Sequence, residues 1–149
     1  MKQLSAAIVL TLALGLLSMP VMADEESWAD RIEFKGDIRL RYESVDEEGN
    51  ERRDRGRFRT RFGFTADVQD DIKVVLELST GGGNPVSTNV TIGDGFARKD
   101  IGFNLAYVDW KVNDSLTVNA GKMKNPLFRA GSAPLIWDGD LNPEGIFLS

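Results

Sequence analysis

The chain of 149 residues contains no cysteine and no histidine. Without cysteine there is no disulfide framework and no thiolate nucleophile. Without histidine, the usual general base near neutral pH and the commonest metal ligand are both missing. Much hydrolytic and metal chemistry is thereby excluded, and no catalytic residue, metal ligand or cofactor is expected. An excess of positive charge is lacking as well. Lysine and arginine number 18 against 23 acidic residues, a net charge of −5, which argues against a nucleic-acid partner. No apolar run reaches the roughly 20 residues that a membrane-crossing helix needs. No segment after residue 23 has convincing helical amphipathicity.

The first 23 residues read as an export leader. Lys2 supplies a short basic start, an apolar run spans 6–17, and Val21 and Ala23 sit at the −3 and −1 positions of a cleavage site. An uncleaved membrane helix is the alternative, but the run is short for it. The leader carries one basic and no acidic residue, so residues 24–149 hold 17 basic against 23 acidic side chains and a net charge of −6. No cysteine follows the run, which removes a lipoprotein anchor.

What the remaining chain has is a period of two. In 31–43 the even positions are Ile32, Phe34, Gly36, Ile38, Leu40 and Tyr42, and every odd position is charged. In 55–67 the even positions are Gly56, Phe58, Thr60, Phe62, Phe64 and Ala66, and the odd ones begin with Arg55, Arg57, Arg59 and Arg61. Such alternation specifies strands with two opposed faces. Further strands are predicted at about 72–80, 101–112 and 116–123, with a sixth beginning near Ile146. In the fourth, the apolar phase switches at Leu105-Ala106, which predicts a bulge. The connections alternate between short turns (68–71, 113–115) and long loops (44–54, 81–100, 124–145).

Strands of about 13 residues exceed the 5–6 usual in soluble sheets and match strands that cross a bilayer. Short turns on one side and long loops on the other are the pattern of outer-membrane barrels. A hairpin symmetric about Asn50 would set Tyr42 opposite Phe58, Leu40 opposite Thr60, Ile38 opposite Phe62, Gly36 opposite Phe64 and Phe34 opposite Ala66. It would also set Arg41 opposite Arg59, Arg39 opposite Arg61 and Glu43 opposite Arg57. Arginines so placed would be ruinous in a packed core and would cost about 2–4 kcal/mol each near a bilayer midplane. A water-filled lumen removes most of that cost. The arginine face is therefore expected to line a wet channel and the Phe/Ile/Leu face to meet lipid. Trp28 and Trp110 toward the turn side, with Tyr42 and Phe58 toward the long loops, fit two interfacial girdles. A soluble β-sandwich with its charged face in bulk water is the competing reading.

The most specific wording lies in AYVDWKV (106–112), GKMKNPLF (121–128) and PLIWDGDLNPEG (134–145). Together these resemble the putative porins of Gram-negative outer membranes, over roughly residues 28–149. The resemblance implies a transmembrane antiparallel β-barrel of about 16 strands, trimeric and open to general diffusion. Only five to six strands are present, so the chain is expected to be the N-terminal part of a longer barrel. By analogy with general porins, the loop after the fifth strand (124–145) would fold inward as a constriction. Its acids Asp138, Asp140 and Glu144 would then face a positive wall of Arg39, Arg41, Arg57, Arg59 and Arg61. Rows of charge of this kind are how pores discriminate among ions.

Other patterns are discounted. Asp138, Asp140, Asn142 and Glu144 resemble the start of a calcium loop, but Pro143 and Ser149 occupy the positions that need Gly and Glu. Gly81-Gly82-Gly83 lacks the Lys-Ser/Thr of a phosphate loop. The expected function is passive diffusion of small hydrophilic solutes and ions through the cell outer membrane, in contact with its lipid. An anion- or phosphate-selective channel and a periplasmic sandwich binding module are the alternatives, and an adhesin or plugged barrel is a further one.

Overall fold

The computed structural model describes residues 27–149 apart from Asp94 and Pro134, with Ser132 described by its backbone alone. The leader expected over residues 1–23 lies outside the described residues. After a single 3-10 turn at Trp28–Arg31, every regular element apart from one short turn in the last loop is a strand. They are β1 (Ile32–Val45), β2 (Arg53–Gln69), β3 (Ile72–Thr80), β4 (Val90–Ile92), β5 (Ile101–Asn113), β6 (Leu116–Lys122) and β7 (Glu144–Leu148). They form one antiparallel sheet in the order β1-β2-β3-β5-β6-β7, with β4 also paired to β2. The sheet is all-β and open: β1 and β7 are its free edges.

β1 and β2 have 14 and 17 residues and pair from Ile32↔Ala66 to Val45↔Arg53. The register is two residues away from the one expected. The hairpin is centred on Gly49 rather than Asn50. Gly49 has φ of 86°, a backbone region that glycine enters without the steric cost a side chain would meet. The two-residue slip keeps every side chain on its expected face. It sets Phe34 opposite Phe64 and Gly36 opposite Phe62, and it lets the Phe34 ring stack on Phe62 at 6.1 Å and meet Phe64 edge-on at 6.3 Å.

β5 carries the bulge that the phase switch predicts. Glu77 pairs with Leu105 and Leu78 with Phe103, so Asn104 is the extra residue, one position before the expected switch. The short β4 has no counterpart among the expected strands. β3 leaves the wall at Thr80, the chain makes an excursion over 81–89, and β4 resumes along β2 at Phe58↔Val90. The last loop runs over 123–143, because β7 starts at Glu144.

The two faces differ sharply. The row of Phe34, Ile38, Leu40, Tyr42, Phe62, Ile101, Phe103, Ile146 and Leu148 is exposed, with Ile38 at 76% and Leu40 at 73%. A soluble monomer rarely displays so large a contiguous apolar surface. Among the described residues only Leu105 and Met123 are buried hydrophobics, and no second sheet covers the apolar row. A sandwich would bury that row in its core, so the fold speaks against the soluble alternative. Leu105 lies on the opposite face, in a cleft lined by Asn125, Arg129 and Asn142 of the last loop, and Met123 is the first residue of that loop. What holds the sheet together is therefore its ladder of backbone bonds rather than a packed interior, as expected where the apolar side meets lipid.

Gly121 marks a point where β5 and β6 come very close. Its φ is 126°, and a Cβ there would sit 2.3 Å from the Ala106 carbonyl oxygen. At Gly102 an added Cβ meets nothing within 4 Å. Gly121→Ala is expected to cost about 1–3 kcal/mol, while Gly102→Ala stays within about 0.5 kcal/mol of the parent. Denaturant titration of the intact protein in lipid vesicles checks both.

Candidate functional site: the arginine wall and its two loops

The odd-numbered side chains of β1 and β2 share one face. The register sets Arg39 opposite Arg59, Arg41 opposite Arg57, Asp37 opposite Arg61 and Glu43 opposite Arg55. Directly opposed like charges destabilise a ladder, and the wall answers with shared carboxylates. Glu43 takes bonds from three guanidiniums: Arg41 at 2.5 Å, Arg57 at 3.5 Å and Arg55. Asp37 Oδ2 accepts from both Nε and Nη2 of Arg59, at 3.1 and 2.6 Å. Charge-assisted bonds of this type are the stronger ones.

Two loops fold onto this face. The neck of the 81–89 excursion is closed by Thr80, whose hydroxyl accepts from the Thr60 amide at 3.0 Å and donates to the Thr88 carbonyl at 2.9 Å. Asn89 then receives Arg39 Nη2 on its side-chain oxygen at 2.7 Å and Arg57 Nη2 on its carbonyl at 2.8 Å. The 123–143 loop is closed at its base by the Met123 amide donating to the Pro143 carbonyl at 2.9 Å. Asn142 donates to Asn104 at 2.9 Å, and Asn104 in turn donates to Glu77. The bulge residue thus anchors the loop.

Asp140 joins both loops to the wall. Its Oδ1 accepts from Arg61 Nη2 at 2.6 Å. Its Oδ2 accepts from the Thr88 amide at 3.2 Å and from the Thr88 hydroxyl at 3.3 Å. Arg61 also donates to Thr88 Oγ1 at 3.1 Å. Partial burial acts to raise the Asp140 pKa. The Thr88 amide, the bond and charge of Arg61 and the Thr88 hydroxyl outweigh it and hold the carboxyl below its ordinary range.

Asp138 plays a different part. Its side chain accepts from the Asp140 amide at 2.7 Å and is otherwise exposed. It lines an open cleft of about 480 Å³ together with Arg39, Arg41, Arg59, Asn89 and Asp140. Glu144 is not part of this gathering. It opens β7, is exposed, and pairs with Lys122 at 3.2 Å. The oxygens of Asp138, Asp140 and Glu144 are thus engaged in three different places, and among the described residues no group of acids converges as a metal site would require.

Several contributors were not singled out from the sequence as site residues, among them Asp37, Glu43, Thr88 and Asn89. Asp37 and Glu43 stand in the odd phase of β1, where the alternation already placed them on the arginine face. Thr88 and Asn89 carried no signal, because a Ser/Thr/Asn-rich loop looks the same whether it turns outward or inward.

An open sheet with one apolar and one guanidinium-rich face, crossed by two loops, is the geometry of a segment of channel wall. A family model described as putative porin matches residues 45–149. The chain belongs to that family. A comparison with curated proteins returns no match. Membership of a porin family points to a non-enzymatic channel protein rather than to a catalyst.

The lowered Asp140 pKa has a definite pH consequence. A carboxyl depressed in the folded state contributes fully above its unfolded value of about 3.9 and loses that contribution as pH falls through the folded value. A nitroxide on Gly139→Cys in the porin should stay immobile from pH 8 to about pH 5. It should become mobile only below about pH 4, as read by its electron paramagnetic resonance line shape.

Proposed function

We propose that the protein contributes to a water-filled channel of the outer membrane that passes small hydrophilic solutes and ions by passive diffusion, in a barrel that assembles as a homotrimer. The observation that carries this reading is the pairing of faces on β1 and β2. An exposed row of Phe34, Ile38, Leu40 and Tyr42 backs onto Arg39, Arg41, Arg57, Arg59 and Arg61. Only contact with lipid on one side and water on the other suits both rows. Membership of the porin family supports the channel, and the leader-like sequence of residues 1–23 supports the location.

In this reading the five arginines form the positive side of the constriction, and the 123–143 loop brings Asp138 and Asp140 against them. At this level there are six guanidiniums, Arg55 included, and five of them contact three carboxylates: Glu43, Asp37 and Asp140. Arg39 is bonded to neutral Asn89. Fixed positive charge in excess favours anions in a narrow aqueous pore. A selective anion or phosphate channel is the second reading, favoured by the cleft that Arg39, Arg41 and Arg59 line.

Reversal potentials in unequal KCl test the first reading. The intact protein in planar bilayers should conduct in proportion to salt concentration, with modest anion preference. Arg39→Gln combined with Arg41→Gln should move the reversal potential toward cation preference. Saturation of conductance at low phosphate concentration would favour the second reading, and absence of any conductance would overturn both.

A further inference from the structure

The two loop acids that face the arginines have different surroundings, and we infer that they have different tasks. Asp140 is a positioning residue: it fastens the 81–89 excursion and the 123–143 loop to β2 as one unit, so that both loops set the width of the passage. Asp138 is the acid whose field a passing solute meets. The inference rests on the channel reading for its conductance arm and is independent of it for its structural arm.

Both oxygens of the Asp140 carboxylate are engaged. One oxygen is held by Arg61 of β2, and the other by the amide and hydroxyl of Thr88 in the first loop. Its charge is met at 2.6 Å by a single guanidinium. A solute further away therefore sees a neutral pair. Thr88 is itself tied through its carbonyl to Thr80, at the neck of its own loop, and Arg61 is tied to Thr88. Cutting the carboxylate out leaves Thr88 Oγ1 as the one described bond between Arg61 and either loop. The loops are far apart in sequence, 52 residues from Thr88 to Asp140, yet they share this one carboxylate.

The Asp138 side chain accepts one bond, from the Asp140 amide, and has no ion pair among the described residues. Its charge stands at the cleft that Arg39 also lines, and Arg39 has no carboxylate partner among the described residues. An uncompensated unit charge in a wet passage acts on ions over about a Debye length. A neutral pair acts over a much shorter range.

The absence of native cysteine allows a single nitroxide to be placed on Val86→Cys, in the first loop, or on Gly139→Cys, in the second. In the intact protein in lipid vesicles, both labels should be immobile. Asp140→Asn should loosen both of them, the one at position 86 in part, because Thr88 stays tied to Thr80 and Asn89 to Arg39 and Arg57. Asp138→Asn should free neither. In bilayers, Asp138→Asn should raise the anion-to-cation permeability ratio roughly sixfold at low salt, since one unit charge at about 8 Å in a water-like dielectric changes anion and cation about 2.4-fold each in opposite directions. The double variant Arg61→Gln/Asp140→Asn removes a neutral pair. It should leave that ratio unchanged while open-channel noise increases, because the loops move. Asp140→Glu should restore quiet conduction in large part.

A label at 86 that stays immobile in Asp140→Asn would overturn the shared fastening. Loops freed by Asp138→Asn would overturn the division of tasks. Should Asp140→Asn fail to assemble, Thr88→Val supplies the same test: the retained Thr88 amide predicts partial freeing of both labels, and freeing of the label at 86 alone would contradict it. If the wild type conducts no ions, the channel reading fails, while the label results still decide whether Asp140 couples the loops.

Discussion

A guanidinium taken into hydrocarbon costs several kilocalories per mole unless it finds water or a carboxylate, and a phenyl or isobutyl group left in water costs free energy in the opposite sense. On β1 and β2 these two demands alternate residue by residue for more than ten positions. No single solvent satisfies both. In the proposed reading the sheet separates two media, and nearly every other feature follows from that. The strands are then long because they have a thickness to cross, and the apolar row stays uncovered because lipid rather than a second sheet is its partner. Few hydrophobic side chains are buried because the sheet has no interior to fill.

The water side then poses its own problem, since guanidiniums facing one another across a hairpin repel. The wall solves it in two ways. Carboxylates in the same row, Asp37 and Glu43, each collect more than one N–H donor. Neutral and acidic groups brought by the loops, Asn89, Thr88 and Asp140, collect the rest. The arginines are thus both the electrostatic character of the wall and the anchors of the loops that lie against it. Desolvation is uneven: the cleft at Arg39, Arg41 and Arg59 is open, while Nε of Arg57 and of Arg61 is buried without a partner among the described residues.

Much of this was legible in the sequence because parity is a local property. Alternation alone assigned Phe34 to one face and Arg39 to the other, and a two-residue error in register cannot reverse such an assignment. The register itself depended on which residue took the left-handed turn conformation. Gly49 and Asn50 are neighbours that both tolerate it, so sequence symmetry pointed to the wrong one. The bulge was visible as a phase switch but fell on Asn104, whose polar side chain has a partner in Asn142 that only the folded loop reveals. β4 was hidden because three residues carry too little period to recognise. The parting of Glu144 from Asp138 and Asp140 was hidden for a related reason: an acid spaced like its neighbours had become the first residue of a strand beside Lys122.

The central claim concerns two adjacent residues on one strand, and it can be tested there. Ile38→Cys and Arg39→Cys, each carrying a nitroxide in the intact protein embedded in lipid, report accessibility to oxygen, which concentrates in hydrocarbon, and to a water-soluble nickel chelate. The account predicts that position 38 is open to oxygen and closed to the chelate, and that position 39 shows the reverse. Equal accessibility to the two reagents at both positions would contradict it.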